Sequence, residues 1–185
     1  MILPIYIYGM PVLRKVAQDI PKDYPELDTF ITDMWETLAH SEGIGLAAPQ
    51  VGKSIRVVVI DLDLLSEDFP EYKGFRKTFI NGHILDYGDD KETLEEGCLS
   101  LPGFHERVTR PTKIRVKYMD ENFEEHDEWI EGYLARVIQH EFDHLEGVVF
   151  ADRLTPLRKQ LVKNKLKALL QGRFKCVYKF KNRRS

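Results

Sequence analysis

Apolar positions along the chain follow helical spacing in some stretches and strand spacing in others. From about Pro25 to His40, Leu27, Phe30, Ile31, Met34 and Leu38 recur at the spacing of one helix face, with Asp23 placed to cap the start and Gly43 to end it. Arg56-Val57-Val58-Val59-Ile60 is a β-branched run that predicts a buried strand, and Thr78 to Tyr87 predicts another. Between residues 113 and 130, Ile114, Val116 and Tyr118 alternate with Lys113, Arg115 and Lys117 before a turn at Asp120-Glu121-Asn122, the pattern of a hairpin. The first twenty residues read as extended and turn-rich because Gly9 and Pro11 break any helix, and the polar stretch 62–76 reads as a loop.

Near the end, Thr155-Pro156 is an N-cap followed by proline at the first helical position. Leu157, Leu161, Leu166, Leu169 and Leu170 then predict one apolar stripe, and Gly172 stops the helix. Phe174, Cys176, Tyr178 and Phe180 alternate with Lys175, Val177, Lys179 and Lys181, which predicts a half-buried terminal strand with Cys176 as a packed thiol on its apolar face.

Composition narrows the class. At 185 residues, 43% apolar and 31% charged, residues 1–185 read as one ordinary globular domain. Two cysteines do not make a disulfide framework, and no stretch approaches the ~20 apolar residues of a membrane span. The opening Met1 to Gly9 lacks a basic region and a small-residue cleavage site, so no signal peptide is expected and the expected location is cytoplasmic. Charge is divided unevenly. Residues 153–185, the predicted basic helix plus strand extension, carry twelve Lys or Arg and no acid, whereas the remainder has fifteen basic and thirty acidic residues. Such a tail either lies on the acidic body or in solvent, or meets a polyanion such as RNA.

The densest chemistry lies in Gln139-His140-Glu141-Phe142-Asp143-His144-Leu145-Glu146-Gly147. Two histidines four apart on a helix stand one turn above each other and can share a metal, with Glu141 beside them to handle the proton of an activated water. The flanks are apolar (Tyr133, Leu134, Val137 and Ile138 before; Leu145, Val148, Val149 and Phe150 after), which predicts a buried helix where polar groups need a purpose. A third histidine six residues on would make a metzincin, but Phe150 stands there. Downstream of Glu146 the only acid is Asp152 and there is no histidine, so the third donor comes from upstream. Cys98, between Gly97 and the turn-forming Pro102-Gly103, fits better than Cys176. Gly43-Ile44-Gly45-Leu46-Ala47-Ala48-Pro49-Gln50-Val51-Gly52 is a run of small residues that either lets a ligand approach the backbone or makes a tight turn.

Taken together, Gly43 to Gln50, Glu96-Gly97-Cys98-Leu99-Ser100 and Gln139 to His144 resemble, in order and spacing, the three signature motifs of the peptide deformylases. The resemblance extends to Gly9-Met10-Pro11-Val12-Leu13-Arg14 and to the helix after residue 155. Leu99-Ser100 and the helical C-terminal region are similar to the bacterial class with a C-terminal helix, from which the strand-like end departs. The implied fold is α+β, with antiparallel and mixed β-sheets packed around a central metal-binding helix, a C-terminal helix and a short terminal strand.

The resemblance implies removal of the formyl group from the N-terminal formylmethionine of nascent peptides, releasing formate. It also implies one divalent metal per chain, Fe2+ in cells, with Zn2+, Ni2+ or Co2+ able to take its place. The residues themselves say that a thiolate with two imidazoles suits a late first-row divalent ion. Cys98, His140 and His144 would be the ligands and Glu141 the proton carrier. Gln50, through its side-chain amide, and Leu99, through its N–H, would bind the oxyanion. Tyr133 and Val137, on the face of His140, with Ile44, would wall the methionine pocket, Arg136 snorkelling beside them. Gly45 and Gly97 would pair with the extended peptide backbone. Glu96 and Arg110 are expected to form an ion pair that fixes the Cys98 loop.

Two rivals follow from the same residues. One is a general metallopeptidase. The other is a non-catalytic structural metal site, for which His105 would have to be a fourth ligand. For the basic tail, contact with ribosomal RNA is the sharper hypothesis beside the plainer reading of a tail on the acidic body or in solvent, which is favoured.

Overall fold

The computed structural model describes residues 1–185. In chain order the elements are β1 (Ile5–Tyr6), α1 (Leu27–Ser41), β2 (Gly45–Ala47), β3 (Val57–Asp61), β4 (Arg76–Tyr87), β5 (Lys91–Cys98), β6 (Leu101–Pro111), β7 (Lys113–Met119), β8 (Glu125–Glu131), α2 (Tyr133–Leu145), α3 (Pro156–Leu170) and β9 (Phe180–Lys181). Five strands form an antiparallel sheet in the order β2-β3-β4-β7-β8, β5 and β6 form a separate long hairpin, and β9 lies parallel to β1.

Strand β3 explains why the sheet is covered on both faces. Side chains of a strand alternate, so Val57 and Val59 face one way and Val58 and Ile60 the other. The first pair packs with Phe30, Ile31, Met34 and Leu38 of α1, and the second with Ile138, Phe142 and Leu145 of α2. All four strand residues are fully buried. Burying each such side chain contributes roughly 1.5–3 kcal/mol, which makes the continuous apolar run the joint between the two layers. Strand β7 behaves as its alternation predicts, with Ile114, Val116 and Tyr118 buried and Lys113, Arg115 and Lys117 exposed. A third cluster joins Phe104 and Val108 of β6 to Phe150, Val162 and Leu169. The α+β class read from the sequence is the architecture found.

Several boundaries differ from the expectation. Helix α1 begins after Glu26, which sits at φ 57° and gives no side-chain cap, rather than from Asp23. Pro25 disfavours helical backbone at Tyr24, which delays the start. Its C-terminal left-handed residue is Glu42, not Gly43. On α3, Thr155 Oγ1 does accept from the Arg158 N–H (3.3 Å). The leucines do not form one stripe, however: Leu157 and Leu161 are exposed and the buried line is Val162, Leu166 and Leu169. Those three fall at i, i+4 and i+7, whereas Leu157 and Leu161 lie on another side of the same helix.

The terminal strand is also shorter than its alternation predicts. Only Phe180–Lys181 pairs with β1, through Ile5 N–H to the Lys179 carbonyl and Ile7 N–H to that of Lys181, both 2.9 Å. Residues 174–179 are irregular, and Cys176 faces a cavity rather than the core. The β5–β6 hairpin was not legible in the sequence. Strand β5 begins Lys-Glu-Thr-Leu-Glu-Glu, and the buried face of β6 intersperses Glu106 and Arg110 with Phe104 and Val108, which masks the apolar period.

Candidate metal centre and substrate pocket

Helix α2 is buried from Ala135 to Leu145, so its polar side chains are held inside the protein. His140 and His144 stand one turn apart on its inner face, ring centroids 5.4 Å apart. Cys98 ends β5 at a register slip between Gly97 and Cys98, and such an irregularity re-aims a side chain. Its Sγ lies 3.3 Å from His144 Nε2. The candidate ligand atoms of Cys98, His140 and His144 all lie within 4.8 Å of one another, and no fourth Cys, His, Asp or Glu joins the group. His105 does not: it sits opposite Gly97 on β6, exposed, with its ring lying over that glycine. A thiolate and two imidazoles with space for a further ligand fit one late first-row divalent ion.

The orientation of His140 is set by Glu96, whose Oε1 lies 2.9 Å from Nδ1. That leaves Nε2 for the metal. Glu96 also accepts from Arg110 Nε and Nη2 (2.6 and 2.9 Å) and from Arg136 Nη1 (2.6 Å). Burial alone would push the Glu96 carboxyl up, but hydrogen bonds from His140 and Arg110 bring it down to about 2. Arg110 bonds onward to Asp143 (2.9 Å), which also accepts from Arg153 Nη2 (2.7 Å). The expected Glu96–Arg110 pair is thus part of a larger network joining β5, β6, α2 and the turn before α3. Arg136 does not snorkel; it is buried and bonds to Glu96, the Val108 carbonyl and the Glu92 carbonyl.

Glu141 is buried beside the histidines, and its Oε2 has no hydrogen-bond partner. Burial pushes its carboxyl up to about 7, against the lowering effect of His140. The small residues of β2 make room for it: a Cβ on Gly45 would come within 2.6 Å of Glu141 Oε1. Gln50 lies in the 3-10 turn Ala48–Val51. Its Oε1 accepts from the Ala47 N–H (2.9 Å), which turns Nε2 toward Cys98 Sγ (3.4 Å) and Ser100 Oγ (3.1 Å). Leu99 forms the turn between β5 and β6, and its carbonyl accepts from Tyr178 Oη at 2.6 Å.

Two cavities meet at this point. A small one of about 120 Å3 is lined by Ile44, Gly97, Tyr133, Arg136, Val137 and Glu141, among others. A larger one of about 420 Å3 shares Ile44, Gly97, His140 and Glu141, and includes Gly45, Gln50 and Leu99. Ile44, Gly45, Gln50, Gly97, Cys98, Leu99, Tyr133, Val137, His140 and Glu141 thus line one or both cavities, and His144 lies beside Cys98 in the candidate ligand group. What sequence reasoning missed is Asp143, Arg153 and Tyr178. An acid on a buried helix demands a partner, so Asp143 carried a signal; nothing in the local sequence marked Tyr178.

A buried His-Glu-x-x-His helix completed by one cysteine from a neighbouring hairpin, without a fourth protein ligand, defines a single-metal hydrolytic centre rather than a closed structural site. Residues 2–160 match the family model for polypeptide deformylase. The peptide deformylase of Flavobacterium psychrophilum is 46% identical, over 98% of this chain and 97% of that protein. Among solved structures, peptide deformylase from Thermotoga maritima is 42% identical with a TM-score of 0.75, covering 84% of this chain and 99% of that one. That from Plasmodium falciparum is 36% identical with a TM-score of 0.81, covering 91% and 95%. The chain belongs to the peptide deformylase family. It is a metal-dependent hydrolase that takes the formyl group from the formylmethionine of newly made polypeptides and releases formate. No helix is long and apolar enough to cross a membrane.

Proposed function

We propose that Cys98, His140 and His144 hold a single divalent metal, Fe2+ in cells, with Zn2+, Ni2+ or Co2+ serving in purified protein. When bound, the ion would act as a Lewis acid and lower the pKa of water at the site toward neutrality. Glu141 takes the proton of the attacking water and returns it to the departing amine. Its burial beside His140, with Oε2 free of any hydrogen-bond partner, leaves the carboxylate available for both transfers. Gln50 Nε2 and the Leu99 N–H receive the negative charge that develops on the formyl oxygen. Supporting the Gln50 role is its amide orientation, locked by the Ala47 N–H.

The methionine side chain occupies the small pocket of Ile44, Tyr133 and Val137, and the peptide backbone pairs with the strands at Gly45 and Gly97. Residues 1–185 work as one catalytic domain, with residues 153–185 as a basic extension, in the cytoplasm. The observation that carries the reading is the convergence of three ligand atoms with the unpartnered carboxylate of Glu141. Formate release from a formyl-Met-Ala-Ser peptide tests it. Glu141→Ala should abolish release while metal content stays at one per chain, and the unformylated peptide should remain uncleaved. Metal loss in that variant, or cleavage of internal amides by the parent, would contradict the assignment.

The basic extension has a second role in this reading, as a contact to ribosomal RNA. Only Arg153 and Arg158 of its twelve basic residues form ion pairs, with Asp143 and Glu106, which leaves exposed lysines of the helix such as Lys159, Lys163 and Lys167 to meet phosphate. Co-sedimentation with ribosomes should weaken steeply as salt rises, and salt-independent or absent association would remove this role.

A further inference from the structure

The C-terminal segment is built into the active-site cleft. Lys175, Cys176, Val177 and Tyr178 line the larger cavity together with Gly43, Ile44 and Gly45. The segment is held on both sides of that wall. Phe174 packs into the core and against Phe180 (ring centroids 5.1 Å), Tyr178 Oη donates to the Leu99 carbonyl, and β9 is bonded to β1. A wall anchored in this way keeps the backbone of residues 175–178 beside the cavity that Cys98 also lines.

We propose that this wall selects among substrates by charge, with Lys175 favouring formyl peptides that carry an acidic side chain shortly after the formylmethionine. The inference rests on the deformylase assignment. With the methionine in the small pocket, the following residues enter the adjoining larger cavity, because the two share Ile44, Gly97, His140 and Glu141. The only carboxylate among the residues lining that cavity is Glu141, which is buried. Lys175 is exposed and forms none of the ion pairs of the structure, in which the basic residues of the C-terminal segment that pair are Arg153 and Arg158. An acidic peptide side chain is therefore attracted and a basic one repelled, as for an exposed pair screened by solvent.

The test uses the metal-loaded full chain with three peptides, formyl-Met-Ala-Asp-Ser, formyl-Met-Ala-Asn-Ser and formyl-Met-Ala-Lys-Ser, at low and high ionic strength. The expected KM order is Asp below Asn below Lys, spanning about three- to five-fold, with the spread carried by KM rather than kcat and shrinking in salt. Lys175→Glu should reverse the order and Lys175→Gln should flatten it. Thermal midpoints should stay near the parent value, because the lysine is exposed and unpaired. Equal KM values for the three peptides, or the parent order retained in Lys175→Glu, would overturn the inference while formate release left the deformylase assignment standing. Absence of formate from all three would overturn that assignment and the inference with it.

Discussion

Glu96 Oε1 sits 2.9 Å from His140 Nδ1 while the same carboxylate is clamped by Arg110 and Arg136. One side chain therefore orients the imidazole of a candidate metal ligand and pairs with two buried guanidinium groups. Glu96→Ala should lower metal affinity by about 10–100-fold, the usual effect of losing such a partner. It should also destabilise the fold by about 3–5 kcal/mol, because buried Arg136 loses its one counter-charge while Arg110 keeps only Asp143. Chelator competition and denaturant unfolding measure the two effects separately. A variant with parent-like affinity would show that His140 does not need the carboxylate.

Gln50 does not line the small cavity of Ile44, Tyr133 and Val137, and its amide nitrogen faces Cys98 and Ser100. Gln50→Ala should therefore lower kcat by about 10²–10³-fold with little change in KM, as for an oxyanion donor acting mainly in the transition state. Steady-state kinetics on one formyl peptide decide it. A rise in KM with kcat intact would assign Gln50 to substrate binding instead.

Gly45→Ala asks whether the placement of Glu141 matters. The new methyl would lie 2.6 Å from Oε1, so the carboxylate must shift. Turnover should fall by about 10²-fold, the scale of a misplaced catalytic group, with metal content retained. Full activity in this variant would mean that Glu141 tolerates displacement and is not the proton carrier.

The Arg14–Asp152 pair gives a pH signature away from the metal. Burial alone would raise the Asp152 carboxyl, but hydrogen bonds from Arg14 and the Val149 N–H hold it below the ordinary aspartate range. A depressed carboxylate contributes stability above its unfolded pKa and loses it as pH falls through its folded one. Both partners are more than a third exposed, so the ion pair is worth only about 0.5 kcal/mol after solvent screening. Asp152→Asn should be less stable than the parent at neutral pH, and the two should converge in acid. A difference that grows on acidification would contradict the sign.

Legible in the sequence were the elements with a clean period: α1, β3, the β7–β8 hairpin and the buried helix α2. The grouping of the three candidate ligands was legible because a histidine pair at helical spacing and one well-placed cysteine leave few alternatives. Less legible was the β5–β6 hairpin, where Glu106 and Arg110 occupy buried positions that apolar residues would otherwise mark. The C-terminal segment misled most: its alternation predicts a strand eight residues long. Tyr178 instead turns its hydroxyl onto Leu99, and only Phe180–Lys181 joins a sheet. Side-chain partners so distant in the chain leave no local pattern.

The central claim is that one sulfur and two imidazole nitrogens hold a single metal beside Glu141. X-ray absorption at the metal edge of anaerobically purified, fully loaded protein tests it most directly. The account predicts one metal per chain with one sulfur at about 2.3 Å and two imidazole nitrogens at about 2.0–2.1 Å if the ion is zinc. The sulfur signal should be lost in Cys98→Ser and kept in Cys176→Ser. A metal shell without sulfur, or with sulfur that survives Cys98→Ser, would contradict it.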